Sequence, residues 1–173
     1  MANHYVTSAC TLRMTAADAE MIRFAQDASD LLSAGMEDDD LKYAFDALDP
    51  RFKALFPAVG PSHFGSFLEL FDDHDFSTFD CAITISEPDV AGWCEVFFCG
   101  QQFGVAAVAE LIFAACKSAL PCAFSWAFTC DRLRPGEFGG RCVAITEAGI
   151  EFHSTTGIPP RAFAHDPCRK VVS

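Results

Sequence analysis

With 173 residues, 51% of them apolar and 18 of them Phe, the chain is long enough for one domain with a sizeable core and too apolar to be disordered. Its 24 acids against 12 bases give a net charge of −12, and the excess lies before residue 131, where 19 acids meet 6 bases. Such a balance works against direct contact with nucleic acid or an anionic membrane and favours a basic protein surface as partner or plain solubility. No apolar run reaches the roughly 20 residues that cross a bilayer. The start, Met1 to Tyr5, has no basic segment leading into an apolar one, so a cytoplasmic protein is expected.

Residues 4–14 alternate, with Val6, Cys10, Leu12 and Met14 on one side and Tyr5, Thr7, Thr11 and Arg13 on the other. That period predicts a first strand. Thr15, followed by Asp18 three positions on, predicts a helix start, and apolar residues at helical spacing run from Met21 to Leu32 before Gly35. Residues 36–80 then turn acidic, with 11 acids against Lys42, Arg51 and Lys53. Three short amphipathic pieces inside it carry Tyr43, Phe45, Phe52, Phe56, Phe64, Phe67 and Phe71. The expectation is a helical insertion whose aromatics pack on the domain while its carboxylates face water.

A strand is expected at 81–86, a turn at Glu87-Pro88-Asp89, a strand at 93–99 and a helix over 101–117. A strictly alternating strand follows at 122–130, with Cys122, Phe124, Trp126, Phe128 and Cys130 on one face. Strand, helix, insertion, two strands, helix and strand make the split β-α-β order, so the predicted fold is α+β and ferredoxin-like, an antiparallel sheet. A terminal hairpin is read at 141–146 and 150–153 around Glu147-Ala148-Gly149. One domain is expected over 1–155, with 156–173 a surface tail.

The loudest polar features are Glu37, Asp38, Asp39 and Asp40, which open the insertion, and Asp72, Asp73 and Asp75, which close it. Two readings fit them. Either they form a carboxylate surface for a basic partner, or the first group simply complements the positive end of a helix dipole. As an EF-hand loop starting at Asp73, the second group fails, with Thr78 where Gly is needed and Thr84 where Glu is needed. A looser hard-cation site there is the alternative; the expectation is no metal and no cofactor. The nine cysteines, an odd number with no Cys-x-x-Cys pair, read as free thiols packed as small hydrophobes.

By residue type, Cys130 or Cys142 with His153 or His165 would make a nucleophile and base, but no flanking signature of a hydrolase accompanies them. The glycines precede no helix in the pattern of a phosphate cradle. Phe124, Trp126 and Phe128 could stack bases on an open sheet face, yet without a basic surround they read as core.

The run from Thr129 through Arg132, Arg134, Glu137 and Phe138 to Gly139-Gly140, with Val143 to Thr146 and Gly149 after it, resembles a segment of uncharacterised proteins of bacterial phages and mobile elements. The helix start from Phe103 to Glu110 is similar too, and the likeness covers about residues 80–155. In that loop the arginines would be held by carboxylates, Phe138 would plug, and Gly139-Gly140 would allow a sharp bend. The resemblance implies an acidic inhibitor, of anti-CRISPR type, that blocks a nucleic-acid-binding surface of a host defence complex. The competing expectations are a small enzyme using Arg132, Arg134 and Glu137 with a Cys or His, and a homodimer paired by a sheet edge or the hairpin.

Overall fold

The computed structural model describes residues 4–35, 38–60, 62–130 and 139–154, with Asp38 as backbone alone. Thus Glu37, the loop residues Arg132, Arg134, Glu137 and Phe138, and the tail with His165 lie outside the described residues.

Among the described residues six strands form one antiparallel sheet in an α+β arrangement. The chain runs β1 (His4–Thr15), α1 (Ala16–Ser33), α2 (Asp38–Ala47), α3 (Pro50–Leu55), α4 (Gly65–Leu68), β2 (Ala82–Ile85) and β3 (Trp93–Gly100). It continues with α5 (Val105–Ala115), β4 (Cys122–Cys130), β5 (Gly139–Thr146) and β6 (Gly149–Ser154). The spatial order is β2-β3-β1-β4-β5-β6, so β1, first in the chain, lies near the middle between β3 and β4. The expected terminal hairpin does form, and it widens the sheet beyond β4 rather than standing apart.

Alternation decides which face is covered. Leu12 and Met14 of β1, Val96 and Phe98 of β3, Phe124 and Trp126 of β4, and Val143 and Ile145 of β5 all point to the same buried layer. Onto them pack Ile22 and Ala25 of α1 and Val108, Leu111 and Ile112 of α5. Phe124 and Trp126 of β4 are thus core as expected, while Phe128 is half-buried at its edge. Burying each large apolar side chain contributes about 1.5–3 kcal/mol.

Helix α1 begins where the sequence places it. The Thr15 hydroxyl accepts from the Asp18 N–H at 3.4 Å, and the Asp18 carboxylate accepts from the Ser118 N–H at 2.8 Å and from its hydroxyl at 2.6 Å. One cap therefore also ties α1 to the turn between α5 and β4.

Helix α5 starts later than the apolar pattern suggests. The Phe103 N–H donates to Val6 O and the Gly104 N–H to Phe79 O, so those amides are committed to neighbours before the helix opens. A side chain at 104 has no room, because a Cβ there would lie 2.8 Å from Phe79 O.

The insertion packs as expected except at Tyr43, which is 80% exposed while the six phenylalanines are buried. On this amphipathic helix Phe45 faces inward with the half-buried Leu41, and Tyr43 is left on the wet side. Gly139 and Gly140 also depart from the expected bend. They are the first residues of β5, opposite Phe128 and Ala127.

Candidate functional site

The carboxylates of the insertion stand on an aromatic platform. Phe67 sits at its centre, with ring centroids of Phe52, Phe56 and Phe71 at 5.4, 5.3 and 5.5 Å and Phe79 at 6.3 Å. Tilted and edge-on contacts at these distances add about 0.5–1.5 kcal/mol each beyond burial. Phe71 is the last anchored residue before Asp72, and Phe79 resumes the core after the acidic turn. Between them Asp72, Asp73 and Asp75 are exposed. The turn holds itself, since the Asp73 carboxylate accepts from the Asp75 N–H at 3.0 Å. Ser29 of α1 pins its far side by donating to Ser77 O at 2.5 Å.

Asp39 and Asp40 are exposed in the first turn of α2. None of Asp39, Asp40, Asp72, Asp73 and Asp75 enters an ion pair among the described residues. Of the insertion's three bases, Lys42 borders the same hollow as Asp39, and the other two are used elsewhere. Arg51 binds Glu20 at 2.7 Å and Asp49 at 3.1 Å, and the Lys53 ammonium donates to Asp46 O at 2.7 Å. Arg51 holds the Asp49 carboxyl below the usual carboxylate range, first through its side-chain hydrogen bond and then through its backbone N–H.

The two acidic groups occupy separate hollows. Asp39 borders one of about 390 Å³ with Leu32, His63, Phe64 and Leu68. Asp72 and Asp73 border a larger one of about 580 Å³. Its wall is Asp80 and the start of α5, and its floor is Phe103, Trp126 and Phe128. Two rings on its rim are unusually open, Phe76 at 72% and Phe152 at 53% exposure. Arg141 lies in the same hollow with its guanidinium 4.9 Å from the Phe128 ring centre.

Asp80, Phe76, Phe152 and Arg141 were not singled out from the sequence. The parity of β6, which turns Phe152 to the same side as Val143, was the available signal for one of them.

The candidates for nucleophilic chemistry resolve differently. Cys142 and His153 are direct cross-strand partners on β5 and β6, and His153 Nε2 lies 3.5 Å from Glu151 Oε2. They lie on an exposed ladder at the sheet margin, outside the hollows just described. Burial, with a smaller contribution from neighbouring thiols, pushes Cys10 up to about 11 and Cys81 up to about 12. Those two are packing residues at neutral pH. Among the described residues no group of three or more His, Cys, Asp and Glu side chains converges to hold a metal. Chemically, the exposed carboxylates can attract cations and the aromatic hollow can seat an apolar side chain.

No protein-family model, curated protein or solved structure matches the chain.

Proposed function

We propose that the chain is a non-enzymatic acidic interaction protein that binds a basic, nucleic-acid-handling protein surface and blocks it. A ferredoxin-like split β-α-β core would serve as its scaffold. The order β2-β3-β1-β4, antiparallel throughout and crossed by α1 and α5, supports that assignment, with β5 and β6 as an added hairpin. One observation carries the functional reading. Five exposed carboxylates of the insertion have no cationic partner within the described chain, while its nearby arginine is taken up by Glu20 and Asp49. Unpaired negative charge on a rigid aromatic platform is available to an external base at no internal cost.

In this reading the carboxylates take the place of phosphates, and the partner is a host defence complex of the kind that phage and mobile-element inhibitors disable. Such binding is stoichiometric. It also depends on salt, because the Debye length falls from about 10 Å at 0.1 M to about 3 Å at 1 M.

The test is affinity capture of bacterial proteins on the immobilised chain, beside a variant with Asp39, Asp40, Asp72, Asp73 and Asp75 all changed to Lys. Nucleic-acid-handling proteins should be held at low salt, released as salt rises, and ignored by the variant. Capture that survives either high salt or the five substitutions would overturn the reading.

A further inference from the structure

The alternation that sends one set of strand residues to the core sends another set to the opposite side of the sheet. There Thr7, Ala9, Thr11, Phe97, Ser125 and Ala127 are all exposed, and no described element covers them. We propose that this face is a homodimer interface, with two copies packed sheet against sheet about a two-fold axis running along the strands between β1 and β4.

Area, charge and register each support a second copy as the occupant. Strands about 4.8 Å apart rising about 3.4 Å per residue give a sheet of these strand lengths a face of roughly 700–800 Å². Two such faces bury roughly 1,500 Å², inside the roughly 1,200–2,000 Å² of stable interfaces. A much smaller partner would leave part of the face wet.

Charge is the second argument. In a chain of net charge −12, the centre of this face carries none. Its charged residues lie toward the ends and margin. Arg13 is bound to Asp89 at 2.8 Å and paired across strands with Glu95, while Glu151 and His153 sit on the last strand. The carboxylates of the insertion belong to the helix side, where Phe79 accepts from Gly104 at the start of α5. A helix is about 10 Å across, more than the Debye length of about 8 Å at physiological salt. Two copies can therefore meet here without bringing their acidic clusters together.

Register is the third. The β1–β3 ladder sets Cys99 beside Ala9 and Phe97 beside Thr11, and the β4–β5 ladder sets Ser125 beside Cys142 and Ala123 beside Ala144. Ser8 faces Trp126 on β4, so Ala9 continues to the height of Ser125. The two-fold then lays β3 of one copy over β5 of the other. Cys99 comes over Cys142, and the bulky Phe97 comes over the small Ala144. Glu151 comes over Thr84 rather than another acid. A self-complementary bump and hollow is what a two-fold interface requires.

Light scattering during gel filtration, at chain concentrations up to about 0.1 mM, should return twice the chain mass. Ala9→Glu with Ala127→Glu should return a monomer with an unchanged circular dichroism spectrum. In the unsubstituted protein a short bismaleimide should join Cys99 of one chain to Cys142 of another, mapped by mass spectrometry of the dimer band. A monomer throughout overturns the proposal. So does a dimer that persists in the double variant, or one whose cross-links avoid that pair. None of these readouts depends on the carboxylates of the insertion, so the dimer and the proposed basic partner stand or fall separately.

Discussion

Asp89 shows how much one side chain can organise. Its Oδ1 accepts from the N–H groups of Ala91 and Trp93, both at 2.9 Å, and its Oδ2 accepts from Arg13 at 2.8 Å. The turn read at Glu87-Pro88-Asp89 is thus extended and closed by the carboxylate of its last member, through to Gly92 at φ +80°. Those bonds, the one from Trp93 first, hold the Asp89 carboxyl below its ordinary range. A depressed carboxyl contributes stability above its unfolded value near 4, and that contribution fades as pH falls through the lower folded value. Asp89→Asn should therefore melt below the native protein at pH 7, and the gap in Tm should close as melts are repeated toward pH 2. A gap that stays constant across that range would show that the charge is not what holds the turn.

Among the elements, the insertion depends most visibly on packing. Its helices are short, α3 with six residues and α4 with four, and neither length is stable by itself. What orders them is the phenylalanine cluster around the fully buried Phe67. Replacing Phe67 with Ala should cost about 3–5 kcal/mol, read from urea unfolding. It should also loosen the turn that carries Asp72 to Asp75. Hydrogen exchange should then rise first across residues 50–79, while β1 and β3 stay protected. Uniform loosening of the sheet would mean that the platform is not a separable unit.

At the scale of the molecule, the charge is a standing load. A chain at −12 with few internal ion pairs among its described residues repels itself, and salt relieves that repulsion. Its Tm should rise when sodium chloride is raised from about 0.01 to 0.15 M, where the Debye length shrinks from about 30 to 8 Å. A flat or falling Tm would indicate that the acids are balanced within the fold. Among the described residues no helix is long and apolar enough to cross a membrane.

The strands and the first cap were legible because their signals are local. Period two in β1 and β4, and Thr15 with Asp18, involve residues only a few positions apart. The exposure of Asp39, Asp40, Asp72, Asp73 and Asp75 was legible for the same reason, since unpaired charge stays in water. Other features needed distant parts of the chain to meet. The late start of α5 depends on Val6 and Phe79, and the hollow joins residues from 6 to 152. The uncharged centre of the sheet's second face exists only because β1 lies between β3 and β4. Sequence by itself determined which residues want water and which do not. Tertiary structure decided which of them share a surface, because strand order is set by long-range pairing that no short window of sequence contains.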